Sequence, residues 1–289
     1  MIFKSLKMST YNLRIVAISV AIFLKNIYEL ATIKKQTTPV LGITIILLSI
    51  FLTNLNAQNM KVKNVVLVHG AFADGSGWKG IYEILSKNGY HVTIVQNPLS
   101  SLEDDVAATN LILDQQDGPT ILVGHSWGGA VITQAGVHHN VVGLVYVAAF
   151  QPDLGESAFT WFSSMPPVAE NSVLPPDEKG FVYYSKEKYH EGFAADLSKQ
   201  EAEFMYASQG AFAAKSFATP LTQAAWKNKP TYGIVATEDK SIRPEIEEKM
   251  YQRSNTKISK IKGSHAVYIS QPGAVAKIII EAAENASKN

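Results

Sequence analysis

The sequence predicts an α/β protein: a doubly wound, mostly parallel six-stranded sheet with a helical cap inserted between two of its strands. Three observations carry this. Short continuous apolar runs alternate with stretches of helical spacing along residues 58–289. The alternation breaks over about 151–229, a block that holds 13 of the chain's 28 aromatics. A glycine-framed serine, "GHSWGGAVI" at 124–132, closes one apolar run and opens a helical one.

Taken in order, "NVVLVHG" (64–70) is an apolar run ending in glycine, as a buried parallel strand would be. "GWKGIYEILSKNGY" (77–90) has helical spacing and stops at Asn88-Gly89. "HVTIVQNP" (91–98) is the second strand and "SLEDDVAATNLILDQQDG" (101–118) the next helix. "PTILVGHS" (119–126), "WGGAVITQAGVHHN" (127–140) and "VVGLVYVAAF" (141–150) read strand, helix, strand. The aromatic block follows. Several short helices are expected there, one over "SKQEAEFMYASQGAF" (198–212), with most aromatics packing the cap and a minority lining an apolar pocket. The pattern resumes as strand 230–237, helix 243–254, strand 256–264 and helix 272–286.

Residues 1–57 differ from the rest. They carry six Lys/Arg against the single acid Glu29. Lys34 and Lys35 precede a 14-residue apolar run, "VLGITIILLSIFLT" (40–53), and "LNA" precedes Gln58. A basic region, a short apolar run and a small residue describe a signal peptide cleaved near Ala57/Gln58. The expected location is secreted or periplasmic, with an uncleaved N-terminal membrane anchor as the alternative. Without this segment 20 Lys/Arg face 24 Asp/Glu, a net −4 in place of +1. No basic face for nucleic acid remains. The chain has no cysteine, which excludes disulfides, thiolate metal sites and cysteine nucleophiles.

Gly124-x-Ser126-x-Gly128, between a strand and a helix, is the context of a nucleophile elbow. The turn is sharp enough that a Cβ two residues either side of the serine would clash. Ser126 needs a base. Of seven histidines, His125 lies inside the elbow and reads as packing. His69 lies in the loop after the first strand. His91, His138, His139 and His190 fall at strand starts, helix ends or in the cap. His265, in "KGSHAVYISQP", follows the last strand, where loops at carboxyl ends converge on a site. The loop "ATEDKSI" (236–242) supplies the orienting acid, with Asp239 favoured over Glu238; Asp153 is a more distant alternative. For an oxyanion hole, Trp127 N–H follows the nucleophile directly. The loop "HGAFADGSGW" (69–78) provides the second donor, Ala71 first and Phe72 second, with Gly70 permitting close approach.

"HGAFADGSGW", "GHSWGGAVI", "ATEDKSI" and "GSHAVYISQP" together resemble the small α/β-hydrolases related to plant methylesterases and hydroxynitrile lyases, with their bacterial esterase-like members. The resemblance covers about residues 60–287. It implies the triad Ser126, Asp239 and His265 and an oxyanion hole of Ala71 and Trp127; chemistry on such a triad needs no cofactor or metal. The lyases of that group carry lysine after the catalytic histidine; here Ala266 stands there. The expected activity is a serine carboxylic-ester hydrolase working through an acyl-enzyme on a small, partly apolar, ester-like substrate. The alternatives are C–C lyase or perhydrolase chemistry on the same triad, or a slow-turnover ligand receptor. Nothing in the pattern specifies an oligomeric state.

Overall fold

The computed structural model describes residues 61–288 and, before them, Lys25 alone. The signal peptide read at 1–57 otherwise lies outside the described residues. The elements run β1 (Asn64–Val68), α1 (Lys79–Lys87), β2 (His91–Val95), α2 (Leu102–Asp114), β3 (Thr120–His125), α3 (Gly128–Ala135) and β4 (Val141–Val147). The inserted block contains α4 (Ala158–Phe162), β5 (Phe181–Val182), α5 (Tyr189–Phe193), α6 (Lys199–Ser208), β6 (Phe212–Ala213) and α7 (Ala214–Ala218). Then come β7 (Thr231–Ala236), α8 (Pro244–Arg253), β8 (Lys257–Ile261), α9 (Val267–Ser270) and α10 (Pro272–Ala286).

Six strands form one parallel sheet in the order β2-β1-β3-β4-β7-β8. The expected doubly wound sheet is therefore present. β1, β3 and β7 are buried along their whole length, as strands covered on both faces must be. The edge strands β2 and β8 are only partly covered. Side chains alternate between two cores. Val66, Val68 and Leu122 pack under α2, α3 and α8, while Val65, Leu67, Ile121 and Val123 pack under α1 and α10.

Local chemistry sets the helix ends. Ser101 caps α2 by accepting from Asp104 N–H at 3.0 Å, and three acids occupy its first turn. Ser198 and Glu201 close a capping box on α6. Past α1, Gly89 takes φ +81°, the left-handed stop that Asn88-Gly89 announces.

Two expectations are corrected. The cap is not purely helical, because β5 and β6 pair antiparallel within it. Both are two residues long, too short for period-2 alternation to register. The helix behind Ser126 ends at Ala135 rather than 140, since Gly136 caps it and residues 137–140 turn into β4.

Candidate active site

Ser126 sits at the tip of β3 with φ +54°, a conformation that costs a non-glycine residue energy and persists only under surrounding constraint. The flanking glycines are required sterically. A Cβ at Gly124 would lie 2.4 Å from Gly128 O, and one at Gly128 would lie 2.6 Å from Val68 O. The elbow is thus pressed against the end of β1.

His265 Nε2 lies 2.8 Å from Ser126 Oγ, and His265 Nδ1 lies 2.6 Å from Asp239 Oδ2. The structure brings these three residues together across 139 and 26 positions of sequence. Asp239 Oδ1 accepts from Ser241 N–H at 2.7 Å and Ile242 N–H at 2.8 Å, which fixes the carboxylate. Ser126, Asp239 and His265 are 7, 3 and 1% exposed, and Phe193 of the cap packs edge-on against the His265 ring.

The other candidates have different partners. Glu238 forms an ion pair with Lys262 at 3.5 Å, and Asp153 one with Lys227 at 2.6 Å. His138 pairs with Asp114, and the His190 ring nitrogen meets Leu197 O. His69 Nδ1 donates to Gly70 O, which leaves Nε2 to accept from Asn97 N–H. His125 packs as expected, 4.3 Å from the Tyr268 ring, but also donates from Nε2 to His265 O at 2.9 Å. Burial, reinforced by His265 nearby, holds the His125 ring well below the usual histidine range, so it stays neutral.

Ala71, Phe72 and Trp127 line one cavity together with Ser126 and His265. A Cβ at Gly70 would lie 2.7 Å from Ser126 Cβ, so the loop after β1 lies against the turn at Ser126. Phe72 holds φ +60°, and its carbonyl accepts from Tyr189 O–H at 2.6 Å. The cavity encloses about 290 Å³, and among the described residues no Lys, Arg, Asp or Glu lines it. Six of the cap's aromatics line it, among them Phe162, Phe212 and Phe217, so the expected minority does so.

Two residues absent from the sequence-derived site stand directly behind it. Asp105 is fully buried, and its Oδ2 accepts the Trp127 indole N–H at 2.7 Å. Burial pushes its carboxyl up to about 6, partly offset by the hydrogen bonds from Trp127 and Leu99. Glu247 on α8 is also fully buried, beside Asp239. A signal existed for both. Asp105 shares a helical face with Leu102, Thr109 and Leu113, and Glu247 shares one with Ile246, Met250 and Tyr251.

A parallel sheet with a serine elbow at the end of its third strand, and histidine and acid on loops beyond later strands, defines the α/β-hydrolase class. The chain belongs to the alpha/beta hydrolase family, whose profile matches residues 65–278. It is 25% identical to a putative chloroplastic methylesterase (methylesterase 14) of Arabidopsis thaliana over 79% of this chain and 74% of that one. It is 26% identical to a pyrethroid hydrolase of Sphingobium wenxiniae over 78% of this chain and 89% of that one. A crystal structure of a pyrethroid hydrolase from Sphingobium faniae superimposes with a TM-score of 0.67 at 21% identity, over 79% of this chain and all of that one.

Proposed function

We propose that residues 58–289 are a serine hydrolase that cleaves small, uncharged carboxylic esters through an acyl-enzyme. The observation that carries this reading is the continuous hydrogen-bonded chain Asp239–His265–Ser126 opening into an uncharged, aromatic cavity. A serine hydroxyl is a poor nucleophile until a base removes its proton. In this reading His265 Nε2 takes that proton as Ser126 Oγ attacks the acyl carbon. Asp239 holds the tautomer that points the Nε2 lone pair at Ser126 and stabilises the imidazolium. The N–H groups of Ala71 and Trp127 receive the oxyanion. His265 then protonates the departing alcohol and, as base again, activates the water that releases the acid. No step calls for a metal or cofactor.

Family membership and the methylesterase and pyrethroid hydrolase relatives support ester hydrolysis. The lining supports a neutral substrate, since an unpaired charge placed there would lose its hydration without compensation. Ala266, fully buried, offers no ammonium of the kind the related lyases carry, which weighs against C–C cleavage.

A panel of esters varied separately in acyl and alcohol parts tests the reading. Neutral short-chain esters should turn over, anionic analogues should be at least about a hundredfold poorer, and Ser126→Ala should lose on the order of 10⁴ in kcat. A parent enzyme no faster than Ser126→Ala on every ester overturns it, and a slow-turnover receptor would then fit better. Residues 1–57 fit removal on export, with the mature chain starting near Gln58 outside the cytoplasm. Intact mass of the protein from its native host decides this: a soluble cytoplasmic chain retaining residues 34–57 contradicts it, and a membrane-bound one indicates an anchor.

A further inference from the structure

Glu247 is a fully buried carboxyl, and neither Oε1 nor Oε2 has a hydrogen-bond partner among the N–H and O–H donors of the described residues. The nearby donors are committed elsewhere. Tyr251 O–H, beside Glu247, donates to Ala149 O at 2.8 Å. The N–H groups of Ser241 and Ile242 both go to Asp239 Oδ1. Ala236 N–H lies close by but outside hydrogen-bond geometry. What does lie within reach of the Glu247 carboxyl is the Asp239 carboxyl. Two ionised carboxylates cannot share such a dry site, because each would raise the energy of the other.

We propose that Glu247 is a positioning residue whose protonated carboxyl donates its O–H to the Asp239 carboxylate, so that the two acids share one negative charge behind His265. The proton stays on Glu247 while Asp239 keeps its charge for His265 Nδ1. Asp239 is then held from three sides: His265 on Oδ2, two backbone N–H groups on Oδ1, and the Glu247 O–H. Burial first, and the Asp239 charge second, push the Glu247 carboxyl well above the usual range. The titratable groups around it are Asp239 from the loop after β7, Tyr251 and Glu248 on α8, and His265 and Tyr146 beyond Asp239 and Tyr251. Glu248 pairs with Lys260, and burial, with the Glu247 charge second, holds Tyr251 well above the usual tyrosine range. Glu247 is therefore the acid whose ionisation would set a second charge beside Asp239.

The proposal rests on the triad reading, so its test has one arm that does not depend on activity. Infrared difference spectra of the full chain at neutral pH should contain a protonated-carboxyl C=O band that disappears in Glu247→Gln. In kinetics, glutamine still offers an N–H to Asp239 and leucine offers nothing. Glu247→Gln should retain at least about tenfold more kcat than Glu247→Leu, with KM alike in both, and should lose the alkaline limb of the parent kcat profile. A parent spectrum without a Glu247-dependent band overturns the proposal. So does a folded Glu247→Leu whose kcat and pH profile match those of Glu247→Gln. If Ser126→Ala and His265→Ala hydrolyse esters like the parent, the triad reading fails instead, and the band still decides where the Glu247 proton resides.

Discussion

The Trp127 indole donates to Asp105 Oδ2 at 2.7 Å, while Asp105 Oδ1 accepts from Leu99 N–H at 2.7 Å. Leu99 holds φ +61°, and its carbonyl accepts from Ala213 N–H of the cap at 2.9 Å. One buried carboxylate thus connects the residue behind Ser126 to the strand of the cap that borders the cavity. Asp105→Ala leaves two buried donors unpaired and should cost about 2–4 kcal/mol of stability, with kcat reduced because the Trp127 backbone is less well held.

The same carboxyl predicts a pH dependence. Burial raises it from 3.8 to about 6 in the folded protein, so between those values the native state holds a proton that the unfolded chain has released. Its contribution to stability is full below pH 3.8 and is lost as pH rises through about 6. The stability advantage of the parent over non-titrating Asp105→Asn should therefore narrow between about pH 4 and 6 and level off above. Urea unfolding at pH 4, 5, 6 and 7 measures it; a gap that widens over that range contradicts the assignment.

If Ser126, His265 and Asp239 act as a unit, their losses will not add. Ser126→Ala and His265→Ala should each remove on the order of 10⁴–10⁶ of kcat, and the double variant should be little worse. Asp239→Asn should cost somewhat less. Glu238→Gln and Asp153→Asn, whose carboxylates pair with Lys262 and Lys227, should stay within about tenfold. Steady-state kinetics on a short-chain activated ester, with circular dichroism as the folding control, checks all of these. Retention of more than a tenth of the parent rate by Ser126→Ala contradicts the nucleophile assignment.

Gly128→Ala places a methyl 2.6 Å from Val68 O, where backbone and not a flexible side chain must yield. It should destabilise the protein by about 1–3 kcal/mol and displace Ser126, lowering kcat in whatever fraction remains folded. Gly273→Ala is the control, since none of the described residues lies within 4 Å of a Cβ there. Thermal unfolding of both variants decides the point: equal melting temperatures would mean the elbow has room that its geometry denies.

Arg253 holds the cap to the sheet domain. It forks onto Glu156 with two contacts of 2.7 Å and lies 4.5 Å from the Trp161 ring centre. Burial alone would raise the Glu156 carboxyl, but Arg253, the Trp161 indole and Asp153 N–H outweigh it and hold it down to about 2. That depression stabilises the fold above the ordinary glutamate range and is lost as pH falls through about 2. Arg253→Met should cost about 1–3 kcal/mol at neutral pH and speed proteolysis within residues 151–229. Parent-like digestion together with a parent-like melting temperature would remove Arg253 from this role.

The sequence by itself determined the sheet, the elbow and the chain order of Ser126, Asp239 and His265. Each is written in local pattern: continuous apolar runs for strands covered on both faces, glycines where a Cβ would clash, and polar loops past strand ends. It did not reveal the two-residue strands Phe181–Val182 and Phe212–Ala213, whose pairing joins Phe181 to Ala213 and Val182 to Phe212 across the intervening cap helices. Nor did it say that Asp105, among the first-turn acids Glu103, Asp104 and Asp105, would become a buried anchor: its place on an apolar helical face is legible, but what covers that face is not. Only the packing of that turn beneath Trp127 buries one of the three and turns it into an anchor. Glu247 is the same case on α8, a charged residue by composition and a dry carboxyl by position. Burial and shared protons depend on which surfaces meet, and those surfaces come from segments far apart in the chain, so tertiary structure alone decided them.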